Sequence, residues 1–226
     1  MSHAADNRTL KHGCIVMASG VGARFGGNKL MAELCDAPLV GHVVRATDDL
    51  FSRRVVVARH ADVAALCETL GAQVILHDEP CRNDTVRLGM EAMDGCDTVT
   101  FVQGDQPLIR PASIAALLRA AERDAAGAVG RNAAIRDAAE SSVARIWRTS
   151  FDGVPGAPVL FPSWAFDELR SLPRGKGGGF VAKTHAECVR TIEVSSEWEL
   201  FDVDTRDDLE QLQTHVARCG SAGLPR

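Results

Sequence analysis

Residues Ser19 to Lys29 read Ser-Gly-Val-Gly-Ala-Arg-Phe-Gly-Gly-Asn-Lys, four glycines and two cations in one short segment. Glycine lets a backbone turn its N–H groups towards an anion, and Arg24 and Lys29 add fixed positive charge, so the segment has the chemistry of a phosphate cradle. A mobile glycine-rich turn is the plain alternative. The glycines at 20, 22 and 26 do not give the G-x-G-x-x-G of dinucleotide-binding folds, and Arg59 follows the second apolar run where those folds carry an acid. A P-loop fits no better, because Asn28 separates Gly27 from Lys29 and Leu30 takes the place of the magnesium-binding hydroxyl. Carboxylates form a second group. Asp105 lies in Gly104-Asp105-Gln106-Pro107, a candidate holder of a divalent cation or simply a turn. Asp202 and Asp204 share one face of an extended segment, and either could reach the same ion. Lys176 sits in the basic glycine run 173–179, which reads as a mobile loop. The seven histidines show no H-x-x-x-H spacing, and the seven cysteines are odd in number with no C-x-x-C pair. Neither a zinc site nor a disulfide framework is expected. With no tyrosine, phenol chemistry is excluded.

The elements that must hold these residues alternate. Cys14–Ala18, Val55–Ala58, Gln73–Leu76 and Thr98–Val102 are apolar runs of strand length, and helical spacing covers Leu39–Leu50, Ala61–Leu70, Asn83–Met93 and Ala112–Ala121. Near-continuous apolar strands joined by helices predict a mostly parallel sheet covered on both faces, a three-layer α/β/α fold of Rossmann-like type. Ligands then bind beyond the strand C-termini, where Ser19–Lys29, His77–Arg82 and Gly104–Pro107 leave the sheet. Residues 124–141 give no clear pattern. Further on, Val143–Thr149, Pro158–Phe161, Cys188–Val194 and Glu199–Val203 read as strands. Ser163–Leu172 reads as a helix capped by Ser163, and Thr205–Ala217 as a closing helix capped by Thr205.

The chain of 226 residues carries 25 Lys and Arg against 30 Asp and Glu, a net charge of −5, so the broad attraction that nucleic-acid binders use is missing. The polar N-terminus precedes only a short apolar run, and neither a membrane span nor a signal peptide is expected; the expected compartment is the cytoplasm. Residues 1–12 and 219–226 are expected to be flexible ends around a single domain over 13–218.

Met17-Ala18-Ser19-Gly20, Arg24-Phe25-Gly26 and Lys29 together resemble the signature loop of MobA-like nucleotidyltransferases. That resemblance implies the nucleotide-diphospho-sugar transferase type of fold. Ala18, Ser19, Gly20 and Gly22 would approach a nucleoside triphosphate, with Arg24 and Lys29 as catalytic cations on its phosphates. GDQP resembles the variant of molybdenum cofactor cytidylyltransferases, and Phe201–Leu209 resembles the family's D-[IV]-D-T-P-E-D-L ending. These imply Asp105 and Asp204 as Mg2+ ligands, CTP as nucleotide, the molybdenum cofactor as acceptor and a molybdenum hydroxylase as recipient. Arg82–Gly89 resembles the R-x-x-[ST]-V-x-x-G pattern of methylerythritol-phosphate cytidylyltransferases, which puts Thr85 near the cytosine; a helix-start residue is the alternative. Gly153–Phe161 resembles G-x-x-G-H-P-V-L-F, which borders the acceptor pocket and implies Gly156 and Pro158 there, with Lys176 in the loop that follows. Here the chain departs from the pattern: Ala157 replaces the usual His, and the next motif lacks its Asp and Arg. A sugar or polyol phosphate acceptor, GTP in place of CTP, or a non-catalytic cofactor-delivery module are the alternatives.

Overall fold

The computed structural model describes residues 9–131 and 144–219. Residues 1–8 and 220–226 of the ends expected to be flexible, and 132–141 of the unassigned 124–141 stretch, therefore lie outside the described residues. Nine strands and seven helices are described: β1 (His12–Ala18), β2 (Glu33–Leu34), β3 (Ala37–Pro38), α1 (Leu39–Ala46), β4 (Arg53–Ala58), α2 (Ala61–Thr69), β5 (Gln73–Leu76), α3 (Arg82–Glu91), β6 (Thr98–Gln103), α4 (Pro111–Arg131), β7 (Ile146–Phe151), β8 (Val154–Pro162), α5 (Phe166–Arg170), α6 (Gly178–Thr184), β9 (Val189–Glu193) and α7 (Arg206–Cys219). Seven strands form one sheet in the order β5-β4-β1-β6-β8-β7-β9. The β5-β4-β1-β6 half is parallel, as its unbroken apolar runs require. β8 runs antiparallel to both β6 and β7, so the second half is mixed.

The alternation of β1 sorts its side chains between two cores. Cys14, Val16 and Ala18 pack towards α1 and α2, while Ile15 faces α3 with Val86 and Met90. α3 lies tight on the sheet because Gly89 has no side chain; a Cβ there would meet Ile15 at 2.7 Å. That contact fixes the N-terminal end of α3, which carries Arg82 and Thr85. The chain leaves β1 towards β4 on one side, yet β6 lies on β1's other side. Their C-terminal ends are thus the topological switch point, where such sheets open a crevice.

Several elements differ from expectation. Glu199–Val203 forms no strand: Glu197–Leu200 is a 3-10 turn, and the chain then runs extended with Val203 N–H bonded to the Asp105 carbonyl at 3.0 Å. Val203 is buried with Phe25, Leu34 and Leu39, so its apolar character serves a core outside the sheet. Ser163 caps no helix; it opens a 3-10 turn, and α5 is only five residues long. Thr205 does cap α7. Its Oγ1 accepts the Asp208 N–H at 3.1 Å, and the Asp208 carboxylate accepts the Thr205 N–H at 2.7 Å. The glycine run 173–179 is anchored, because Gly175 N–H donates to Asn83 Oδ1 at 2.8 Å and α6 begins at Gly178. β1 starts at His12, itself buried, two residues ahead of the expected strand and one ahead of the expected domain boundary.

Met90→Ala would open a cavity under α3 at a fully buried position. The expected cost is about 2–5 kcal/mol, a fall in melting temperature of roughly 4–20 °C for a chain of this size, measured by calorimetry.

Candidate active site

Beyond the switch point lies a cavity of about 370 Å³ whose walls include Ser19, Gly22, Lys29, Thr85, Asp105 and Asp204. The glycine loop forms one wall. Gly22 has φ of +62°, and a Cβ on it would collide with the Gly27 carbonyl. Its own carbonyl accepts the N–H groups of Phe25 and Gly26 at 3.0 Å. The N–H groups of residues 25 and 26 therefore close the loop on itself. Among the described residues those of 20–24 find no internal partner, and they are the donors available to an anion in the cavity. Ala18 is buried in the sheet instead, and Met17 and Ser19 line the cavity on either side of it.

Ser19 and His77 join the glycine loop to the loop after β5. Ser19 Oγ donates to the Val57 carbonyl at 2.9 Å and so accepts from His77 Nε2 at 2.7 Å. His77 Nδ1 accepts the Glu79 N–H at 3.1 Å, which fixes a neutral tautomer. Burial, then the neighbouring Arg59, hold its pKa below the usual imidazole value. Arg59 donates to the carbonyls of Ser19, Asp78 and Glu79, so the guanidinium at the end of β4 staples the two loops.

Opposite stands a buried ammonium. Lys29 Nζ lies 2.6 Å from Asp105 Oδ2 and 2.8 Å from Asp204 Oδ1, and Arg24 reaches Asp204 Oδ2 at 2.7 Å. Burial disfavours the Lys29 charge, but the Asp105 and Asp204 carboxylates outweigh it and raise its pKa above the usual lysine value. Asp204 is held below the usual carboxylate range, foremost by the Lys29 hydrogen bond. Asp202 does not line the cavity. Although its side chain reaches solvent, surrounding protein and then Asp105 crowd its carboxyl and push it up to about 6. Gln106 is buried, with its amide donating to the Leu200 carbonyl at 3.2 Å, so it braces the Asp204 segment and does not line the cavity.

A divalent cation suits this donor set. Mg2+ takes one or two carboxylates and completes its shell with water and phosphate oxygens. Asp105 and Asp204 converge in that way, and among the described residues no group of three or more His, Cys, Asp or Glu makes a closed metal cage. In this structure the Lys29 ammonium bridges the two carboxylates.

A second cavity, also about 370 Å³, adjoins the first and shares Met17, Arg82 and Gln103 with it. Arg148, Lys176 and Lys183 line it with Phe161 and the exposed Phe180. Gly156 and Pro158 are not among its walls. Gly156 instead accepts Arg148 Nε at 3.0 Å and Nη2 at 2.9 Å through its carbonyl, and a Cβ on it would meet Leu200 at 2.8 Å. Burial draws the Arg148 pKa below the usual arginine value. Sequence reasoning passed over Arg59, Arg82 and Arg148. Arg59 directly follows β4 and Arg82 ends the loop after β5, and those positions were the signal; Arg148 lies mid-strand in β7 and gives none.

Residues 14–189 match the MobA-like NTP transferase domain. The chain belongs to this family. A 3-deoxy-manno-octulosonate cytidylyltransferase of Afipia carboxidovorans is 30% identical over 217 residues, 88% of this chain and 82% of that protein. The chain spans less than half of two other proteins of that name, with matches covering 44% of each. Two solved structures share the fold. One is the Mycobacterium sp. strain JC1 homologue of Mycobacterium tuberculosis Rv0371c, with TM-score 0.73 and 24% identity over 92% of this chain and 98% of that one. The other is the molybdopterin-guanine dinucleotide biosynthesis protein A of Archaeoglobus fulgidus, with TM-score 0.63 and 19% identity over 91% and 99%. No helix among the described residues is long and apolar enough to cross a membrane.

The geometry gives Lys29 a structural role besides the one its resemblance implies. A cation facing only phosphates could be removed at little cost to the apo protein, whereas this one separates two carboxylates. Lys29→Met should lower apo stability by about 1–4 kcal/mol, between the values for exposed and buried pairs. Millimolar Mg2+ should then raise the melting temperature of the variant more than that of the parent.

Proposed function

We propose that the protein transfers a nucleotidyl group, cytidylyl first, from a nucleoside triphosphate in the first cavity to an anionic sugar-type acceptor in the second, releasing pyrophosphate. The observation that carries this reading is the junction of the two cavities at Met17, Arg82 and Gln103. A triphosphate in one and an acceptor in the other would meet there.

The acceptor's nucleophilic oxygen, an ionised phosphate oxygen or a hydroxyl that gives up its proton to water, forms a bond to the α-phosphorus in line, the bond from that phosphorus to the bridging oxygen breaks, and pyrophosphate leaves with the electron pair. No covalent enzyme intermediate is needed, so positioning and fixed charge carry the rate. The N–H groups of residues 20–24 orient the phosphates, and Lys29 and Arg24 turn from carboxylates to phosphate oxygens as charge builds on the departing pyrophosphate. Asp105 and Asp204 would hold Mg2+, which when bound supplies further charge neutralisation of the phosphates. Thr85, buried on α3 in the wall of the first cavity, is placed by this reading beside the base.

Relatives named for cytidylyl transfer to a sugar acid support CTP, and they favour a sugar-type acceptor over the pterin implied by GDQP. Arg148, Lys176 and Lys183 would suit an acceptor that brings its own negative charge. One observation keeps the pterin phosphate as a second reading. Phe180 is 40% exposed with Lys176 Nζ 6.0 Å from its ring centroid, a surface on which a flat heterocycle could stack beside a cation.

Pyrophosphate release with CTP or GTP, each offered 3-deoxy-manno-octulosonate, molybdopterin or a polyol phosphate, tests both readings. CTP is expected to exceed GTP by roughly ten- to a hundredfold, the range for base hydrogen bonds left unpaired, and Thr85→Val should narrow the gap. Turnover with molybdopterin alone would select the second reading, and binding of nucleotide without release from any acceptor would leave a delivery module. Asp105→Asn should lose at least about 2.7 kcal/mol of transition-state stabilisation, a hundredfold in rate, with circular dichroism unchanged. Turnover within a few-fold of the parent would remove Asp105 from the site.

A further inference from the structure

Two anionic substrates that must approach within bonding distance repel one another, and that repulsion is strongest where they meet. Of the three residues common to both cavities, Met17 and Gln103 are neutral and Arg82 is charged. Arg82 is exposed, and among the described residues its guanidinium has neither a hydrogen bond nor an ion pair. The neighbouring Asp84 carboxylate is already engaged, by the Cys81 N–H at 3.2 Å and by Asn83 Nδ2 at 3.1 Å. The other cations of the first cavity differ in this respect: Lys29 and Arg24 are bound to carboxylates, and Arg59 is bound to carbonyls.

The stem of Arg82 is also seated. Gly177, in the run before α6, lies against it, and a Cβ on Gly177 would come within 2.8 Å of Arg82 Cδ and 3.3 Å of Cγ. Gly177 has φ of −126° and ψ of −174°, extended backbone open to any residue, so the arginine stem is what leaves no room for a larger side chain. Gly175 and Arg174 add contacts to Asn83 and Cys81 on either side, so three consecutive residues at the start of α3 carry the glycine run.

We infer that Arg82 is a catalytic residue of the junction, touching the phosphates of the nucleotide and the anionic group of the acceptor together and cancelling their repulsion, with Gly177 required to seat it. The inference rests on the assignment of the two cavities to nucleotide and acceptor. An unpaired guanidinium presents several donors in a fixed plane, so it can serve two anions at once where a lysine ammonium serves as a point charge.

The test uses the full chain and two probes, CTP with Mg2+ and then inorganic phosphate added to the CTP-loaded protein as the simplest stand-in for an acceptor's charge. Calorimetry on Arg82→Met should show CTP binding weakened about tenfold or more, the range for a lost charged hydrogen bond. Phosphate binding to the loaded protein should weaken by a similar factor. Arg82→Lys should recover the CTP arm more than the phosphate arm. Gly177→Ala, which keeps the charge, should move both in the same direction by less, and should add nothing to Arg82→Met in the double variant. The apo melting temperature of Arg82→Met should match the parent. Parental binding of both probes by Arg82→Met overturns the inference, as does a Gly177→Ala effect that adds in full to Arg82→Met. A parent that binds CTP and no phosphate also overturns it, because no second anion then lies beside the nucleotide. A parent that binds no nucleotide overturns the cavity assignment itself, a separate result.

Discussion

The Lys29 ammonium between Asp105 and Asp204 is the interaction on which the working end of the molecule depends. It draws together three segments far apart in sequence: the loop after β1, the end of β6, and the extended chain before α7. The backbone follows the same path, with Val203 bonded to the Asp105 carbonyl and Gln106 to the Leu200 carbonyl. Two carboxylates brought this close need positive charge between them, since like charges at short range disfavour joint ionisation. Lys29 supplies it in the protein alone. A substrate carrying phosphates and Mg2+ offers both partners at once, anions for the lysine and a cation for the carboxylates, so an exchange of partners keeps every charge compensated.

The sheet divides the labour around that centre. Its parallel half ends in the glycine loop, the Arg59 staple and Asp105, which under the proposed function hold phosphate. Its mixed half contributes Arg148 from β7 and Phe161 from β8 to the second cavity, the acceptor's in that proposal. α3 lies over the boundary, held down by the fit of Gly89 against Ile15, and its first turn enters both cavities. Binding at one cavity is thereby mechanically close to binding at the other.

Most of the parallel half was legible in the sequence because β1, β4 and β6 are buried on both faces, and a run such as Cys14–Ala18 or Val55–Ala58 has few other ways to bury itself. Arg24, Lys29 and Asp105 were legible for a related reason: charged residues directly after buried strands lie where a crevice opens. The rest depended on contacts across the chain. Phe201 and Val203 are apolar enough for a strand, yet they pack among Phe25, Leu34 and Leu39, and composition does not say which core an apolar residue serves. Gln106 entered the sequence reading only as part of the GDQP motif, and its burial with its amide on the Leu200 carbonyl is a tertiary fact. The glycines at 175–179 suggested freedom, whereas 177 and 178 are small because Arg82 and Phe161 press against them. Lys29 combined both cases. Its presence at the site was legible, and the two carboxylates that share it were not.

The β7–β8 hairpin carries its charged group and that group's anchor together, since Arg148 on one strand is held by the Gly156 carbonyl on the other. It meets the strand that leads to Asp105 through the backbone ladder of β6 and through the edge-to-face contact of Phe161 with Phe101 at 5.6 Å. A hairpin exchanged here as a cassette would have to keep that ring contact. Under the proposed function, descent could trade one hairpin for another and so change the acceptor while the glycine loop and its lysine stay as they are, which makes the hairpin the natural graft point for a new acceptor.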